Sequence, residues 1–222
     1  MKACISAVYF ENIPPEIVAY QRRVVDRFNV SGHPFYQCRR LNAAVGHAAG
    51  IDQFFKRNRC LDFGYDVLLF LDIDCIPLCA LAIDYYLERA AAGLLVGNIQ
   101  RSNHIENGEH LFVAPSALAI SVETYERLGQ PSAEATKRGD VCEEFTFAAE
   151  EKGVGIEATL PSRYDTAPAE CEYWPLKPGM PVYGCGSTFT HPVLGDLFWH
   201  SFQIWRPEQQ LNFERKCVKV LS

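Results

Sequence analysis
The chain has 222 residues, 48% of them hydrophobic and 22% charged, and a formal net charge of −6. That is ordinary for a globular α/β protein and enough for a sizeable core. The acidic balance, with no basic cluster longer than Arg39-Arg40, argues against nucleic acid as the main partner.

No apolar run approaches the roughly 20 residues of a membrane span, so no transmembrane segment is expected. The start, Met1 to Val8, reads as a strand rather than a signal peptide. Nine cysteines is an odd count; they sit inside strand and helix patterns and form no CxxC pair. The simplest reading is reduced, buried thiols in a cytoplasmic protein.

In chain order, Ala3 to Phe10 is a strand of small and β-branched residues. Pro14-Pro15 opens a helix whose apolar stripe is Ile17, Val18, Val24, Val25 and Phe28. Phe35 to Arg39 is a short strand, and Leu41 to Asn58 a helix carrying His47, Gly50 and Asp52. Asp62-Phe63-Gly64 turns into Val67 to Leu71, an apolar run that ends in Asp72 and Asp74. Such a run reads as a strand buried on both faces. Leu78 to Ala92 is a helix between Pro77 and Gly93. Leu94 to Ile99 is a strand, and the polar stretch Gln100 to His110, with Asn107-Gly108, a loop or hairpin. Leu111 to Ile120 is a strand, Val122 to Leu128 a short helix, Asp140 to Lys152 a helix and Val154 to Leu160 a strand. Ala167 to Gly195 is rich in Pro, Gly and aromatics and is expected to be irregular, ending in the compact motif Leu197 to Gln203. There are no repeats and no linker that would split domains. The expectation is one single-domain α/β/α sandwich around a mixed, mostly parallel sheet.

Residues two apart on an extended chain point the same way, so Asp72 and Asp74 would present two carboxylates past the C-terminal edge of their strand. In open α/β sheets ligands bind at that edge. Three chemistries compete for the pair. An EF-hand loop needs oxygen ligands and a glycine where Cys75, Ile76 and Pro77 stand. An aspartate-nucleophile phosphohydrolase of the haloacid-dehalogenase type also runs an apolar strand into Asp-x-Asp, but usually on its first strand. A nucleotide-sugar transferase uses such aspartates to hold Mn²⁺ or Mg²⁺ against a diphosphate.

Five blocks in order carry a resemblance: His47-Ala-Ala-Gly-Ile-Asp52, Leu69-Phe-Leu-Asp-Ile-Asp-Cys-Ile-Pro-Leu78, Pro115-Ser-Ala-Leu-Ala-Ile120, Asp140-Val-Cys-Glu-Glu-Phe145 and Leu197-Phe-Trp-His200. Across most of its length the sequence resembles a GT-A glycosyltransferase of the small stand-alone kind found in bacteria, phages and large DNA viruses. The resemblance implies a nucleoside-diphosphate sugar donor, a glycan or glycoconjugate acceptor and Mn²⁺ or Mg²⁺. It implies a nucleotide-binding half over residues 1–100 and an acceptor-binding, catalytic half over 101–222. Val8, Tyr9, Phe10, Asn12 and Ile73 would contact the donor, with His47 and Asp52 adding contacts from their helix. Asp74 would be the firmest metal ligand, Asp72 would touch ribose or metal, and His200 would be a late metal or diphosphate ligand. The catalytic base of an inverting enzyme would be Asp140, Glu143 or Glu144, which fall at i, i+3 and i+4. The alternative readings are the phosphohydrolase and a catalytically silent nucleotide-sugar-binding domain.

Each residue also has a plainer reading. Asp140-x-x-Glu143 has the outline of a capping box, and Glu144 that of a solvated first-turn glutamate. Asp72 and Asp74 could cap the helix after Pro77, and His200 could be a hydrogen-bonded core histidine. Gln100, Arg101, His104 and His110 could contact the acceptor or simply be a polar loop. Tyr183 to Thr188 could bind phosphate through its backbone, and Tyr173 and Trp174 could stack on a sugar.

Overall fold
A computed structural model describes residues 1–40, 46–60, 64–102, 110–166 and 184–222, with backbone alone for 56–60. The elements are β1 (Ala3–Phe10), α1 (Pro15–Phe28), β2 (Phe35–Arg40), α2 (Gly46–Cys60), β3 (Val67–Asp72), β4 (Cys75–Pro77), α3 (Leu81–Ala91), β5 (Leu95–Arg101), β6 (Leu111–Ser121), α4 (Val122–Arg127), α5 (Glu143–Glu151), β7 (Ile156–Arg163), β8 (Ser187–His191), β9 (Gly195–His200) and α6 (Pro207–Leu221).

Among the described residues nine strands form one sheet in the order β2-β1-β3-β6-β5-β7-β8-β9-β4. It is mixed. β2, β1 and β3 run parallel, as do β5 and β7, and the other neighbours pair antiparallel. The central strands are buried on both faces because their side chains alternate between two cores. Ile5, Ala7, Val67, Leu69 and Leu71 join one core with residues of α1, α3 and α6. Cys4, Leu68 and Phe70 join the other with residues of α2 and α5. This is the α/β/α sandwich expected.

Several boundaries differ from the sequence reading, each for a local reason. Cys75–Pro77 is a strand, and its helix begins only at Leu81. Pro77 is tolerated because β4 lies at the sheet edge, where a missing N–H breaks no central ladder. β6 runs through Pro115 because the β5–β6 register shifts between Gly97 and Ile99, leaving the proline between the paired residues Val113 and Leu118. β7 also runs through Pro161, which stands opposite Phe189 immediately before a register shift.

α5 begins at Glu143, not Asp140, and Cys142 before it holds a left-handed φ of 65°. β8 falls inside the stretch expected to be irregular, and β9 holds the first part of the compact motif, Leu197 to His200. α6 lies beyond the residues to which the sequence assigned an element; it buries Gln209, Phe213 and Cys217 on one stripe. The calls at 41–45, 62–63, His104, Asn107-Gly108, Tyr173, Trp174 and Tyr183 lie outside the described residues. No helix among the described residues is long and apolar enough to cross a membrane.

Candidate functional site
β1 and β3 are paired in register Val8 to Asp72, so both strands end at the same place on the sheet edge. Past Asp72 the chain turns through Ile73-Asp74 and enters β4, whose Cys75 lies directly opposite His200 of β9. The Ser201 N–H donates to the Asp74 carbonyl at 3.0 Å and fixes that meeting. A histidine 126 residues away thereby joins the two aspartates. His200 Nε2 lies 3.2 Å from Asp74 Oδ1 and 3.5 Å from Asp72 Oδ2. His47, in the first turn of α2, brings its Nε2 to 3.0 Å from Asp72 Oδ1.

The electrostatics follow from burial. Asp74 is 5% exposed and His200 3%. Desolvation alone would lower both histidines, but the Asp72 charge beside His47 and the Asp74 charge beside His200 outweigh it, and both are raised. Desolvation pushes Asp72 up, and the His47 and His200 charges more than offset it, so its carboxyl is lowered.

The donor set fits a divalent cation. One ligand atom from each of Asp72, Asp74 and His200 lies within 4.8 Å of the other two. Asp72 Oδ1 is buried and, although near His47, has no aligned hydrogen-bond donor. Two carboxylates and an imidazole suit Mn²⁺, and less well Mg²⁺, which prefers oxygen alone.

These groups open into a cavity of about 340 Å³. One wall is the end of β1 and the following turn: Val8, Tyr9, Phe10, Asn12 and Ile13. The floor carries His47, Asp72, Ile73, Asp74 and His200, and the far side Gln100, Phe112, Pro115, Asp140 and Val141. The remaining edge is Phe202 to Trp205. Phe202 and Gln203 hold φ of 60° and 55°, a strained pair of non-glycine left-handed residues. Trp205 beside them is 59% exposed. Sequence reasoning missed this edge, and no glycine marks its backbone.

The other expected residues are distributed as follows. Asp52 is not among the cavity residues; its carboxylate accepts from Ser132 Oγ at 2.6 Å and the Ala133 N–H at 2.8 Å. Glu143 is fully buried and accepts from Ser102 Oγ, His110 Nδ1 and, at 2.7 Å, the Asp140 N–H. That last bond closes the turn before α5; the capping-box reading does not hold, because Cys142 rather than Asp140 is the residue that precedes the helix. Glu144 is paired with Arg138, which bonds it from Nη2 at 2.6 Å. The Arg138 bonds come first among the causes that lower its carboxyl. Of the three acidic candidates, Asp140 is the one that lines the cavity. Gln100 lines it too, Arg101 is buried, and His110 stacks on Phe147 with centroids 4.3 Å apart. The Gly184 N–H donates to Ser187 Oγ in the turn that feeds β8.

No protein-family description matches the sequence, and no curated protein matches it. Among solved structures the chain is similar to a glycosyltransferase involved in the glycosylation of the major capsid of PBCV-1. The identity is 13% and the TM-score 0.54, over 96% of this chain and 99% of that one. A mutant Drosophila β1,4-galactosyltransferase 7 in complex with manganese, UDP-Gal and xylobiose gives 14% identity and a TM-score of 0.43 over 75% and 67%. A putative nucleotide-diphospho-sugar transferase from Desulfovibrio desulfuricans G20 gives 10% and 0.39 over 71% and 79%. The first likeness spans nearly all of both chains: this chain has a GT-A-like fold.

Proposed function
We propose that the chain is a glycosyltransferase that uses Mn²⁺ or Mg²⁺ to move a sugar from a nucleoside-diphosphate sugar to a hydroxyl of a glycan or glycoconjugate acceptor. The observation that carries this reading is the convergence of Asp72, Asp74 and His200 at the strand ends of a GT-A-like sheet, on the floor of a cavity of about 340 Å³. Fold alone does not give function; the ligand set and its place in the cavity supply the argument.

When bound, the cation would neutralise the charge that develops on the nucleoside diphosphate as it leaves. Asp74 and His200 are its principal holders, with Asp72 beside them and turned also toward His47. Val8 to Asn12 and Ile73 form the wall for the nucleoside, so residues 1–100 act as the nucleotide-binding half. Residues 101–222 supply Asp140, His200 and the side of the cavity open to the acceptor.

Asp140 is the base for an inverting transfer, taking the proton of the attacking hydroxyl. Glu143 and Glu144 are occupied in holding the chain: the first binds Ser102, His110 and the Asp140 backbone, the second Arg138. Asp52 braces Ser132 and Ala133.

The test is a panel of nucleotide sugars titrated with Mn²⁺ into wild type and Asp74→Ala, followed by NMR of the product anomer with a glycan acceptor. Mn²⁺-dependent binding lost in Asp74→Ala supports the site, and turnover supports the transferase. Binding without turnover would mark a silent binding domain. Phosphatase activity with phosphate trapped on Asp72 would overturn both. A reducing, cytoplasmic compartment is part of this proposal. Cys4, Cys75 and Cys142 are buried core residues whose thiols burial pushes up, Cys4 to about 12. Mass spectrometry of the alkylated native protein would show an oxidised pair if that assignment is wrong.

A further inference from the structure
Gln21 is a fully buried amide on α1, within the stripe that includes Ile17, Val24 and Val25. An apolar residue would serve that packing. The side chain instead reaches the turn between β3 and β4. Its Nε2 donates to the Asp72 carbonyl at 2.6 Å and to the Cys75 carbonyl at 3.1 Å. Those two carbonyls bracket Ile73-Asp74, so one amide nitrogen spans the chord of the turn that carries both carboxylates.

The orientation of that amide is dictated by its partners, since only nitrogen can donate to two carbonyls. Gln21 Oε1 accepts from Gln37 Nε2 at 3.0 Å, and Gln37 Nε2 also donates to the Val18 carbonyl at 2.9 Å. Gln37 Oε1 accepts from Arg22 Nε at 3.1 Å. Arg22 is held in turn by the Phe35 carbonyl, 2.9 Å from Nη2, and lies over the Phe35 ring at 4.1 Å. A relay from β2 through α1 thus ends on the backbone of the turn.

We propose that Gln21 is a positioning residue that sets the separation of the Asp72 and Asp74 carboxylates and so tunes the affinity of the site for a divalent cation. The proposal rests on the cation-binding reading of that site. Groups behind a metal ligand orient it, and losing one typically costs about 10–100-fold in metal affinity. Gln21 acts one step further back than usual, on the ligands' main chain rather than their side chains.

The experiment measures Mn²⁺ affinity by electron paramagnetic resonance of the free ion, well below the melting temperature and without donor or acceptor. Gln21→Met keeps the volume and removes the amide. It is expected to remain folded and to bind Mn²⁺ about 10–100-fold more weakly. Gln37→Met, which frees the Gln21 amide, is expected to lose about three- to tenfold and carries the test if Gln21→Met does not fold. Thr146→Val is the control for general destabilisation. It removes a buried hydroxyl that accepts from the Val113 N–H at 3.0 Å, on an element outside the relay. It should lower the melting temperature and leave Mn²⁺ affinity unchanged. Folded Gln21→Met with affinity within twofold of wild type overturns the proposal, and so does an equal loss in Thr146→Val. Wild type that binds no Mn²⁺ overturns the cation-site reading itself, a result distinct from either.

Discussion

Replacing Glu143 by alanine should weaken the fold and leave the chemistry nearly intact. The carboxylate is fully buried and holds three donors: Ser102 Oγ, His110 Nδ1 and the Asp140 N–H. Without it the Ser102 hydroxyl can rotate, and His110 keeps Glu150 at 3.3 Å from Nε2. The Asp140 N–H has no such freedom, because the turn before α5 fixes it. An unsatisfied buried donor costs about 1–3 kcal/mol, and that range applies, since the Asp140 N–H is the donor left without a substitute partner. For a chain of this size each kcal/mol moves the melting temperature by about 2–4 °C. Glu143→Ala should therefore melt about 2–12 °C lower, and Glu143→Gln, which keeps an acceptor, should lose less than half as much. Circular dichroism melts at fixed pH measure this, paired with turnover well below both transitions. A melting temperature within about 2 °C of wild type would refute the reasoning. So would a more than hundredfold fall in kcat without a thermal shift, which would return Glu143 to the catalytic candidates.

Asp140→Asn should do the opposite, lowering kcat by about 10²- to 10⁴-fold in an inverting enzyme while the thermal melt stays near wild type; an unchanged kcat would exclude it as base. Mn²⁺ affinity should strengthen as pH rises through the raised His200 value, by about tenfold per pH unit for each proton displaced. The metal-free protein should behave inversely. Raised histidines contribute stability fully below the ordinary value of about 6.5, and it is lost as pH rises through their folded values. Asp72, being lowered, contributes above about pH 3.9 and loses its contribution as pH falls through its folded value. Melting curves of wild type against His200→Ala from pH 5 to 8 would contradict this if their difference did not shrink with rising pH. Gly97→Ala should cost about 1–3 kcal/mol, because its Cβ would fall 2.3 Å from the Ala117 carbonyl oxygen; a chemical-denaturation midpoint at the wild-type value would count against that close approach.

Much of the N-terminal half of the fold was legible because short-range patterns encode it. Ala3 to Phe10 and Val67 to Asp72 are strands by apolar content, and Pro15 opens α1 by helix punctuation. Asp52 shows that helical spacing separates two residues that stand close in sequence. It lies five residues after His47, about 140° around a helix. His47 faces Asp72, and Asp52 faces Ser132. The grouping of Asp140 with Glu143 and Glu144 assumed a helix already running at Asp140; with α5 starting at Glu143, Asp140 sits in the preceding turn and lines the cavity. β8 carries one large apolar residue, Phe189, among threonines, so its strand character comes from β7 and β9 on either side. α6 places Gln209 in the buried stripe and thins its apolar period. The left-handed pair Phe202-Gln203 has no glycine and no local signature at all.

β4 explains why a site read from one end of the sequence depends on the other. Three residues make a marginal strand, yet this one determines whether His200 meets the aspartates. In an antiparallel pair a slip of one residue sends every side chain to the opposite face. A slip between β4 and β9 would turn His200 away from Asp74. The register is pinned at both ends, by Ser201 N–H to the Asp74 carbonyl and by Leu78 N–H to the Leu197 carbonyl at 2.8 Å. It is also weighted from below: Phe198 packs on Tyr86 with centroids 4.7 Å apart, and Trp199 is buried beside Phe213 of α6. The C-terminal helix, far from the chemistry in sequence and silent in motif, therefore helps to hold the strand that delivers the histidine. Gln21 does the corresponding work on the other side of the turn, and the Asp72-Ile73-Asp74 segment is fixed between the two.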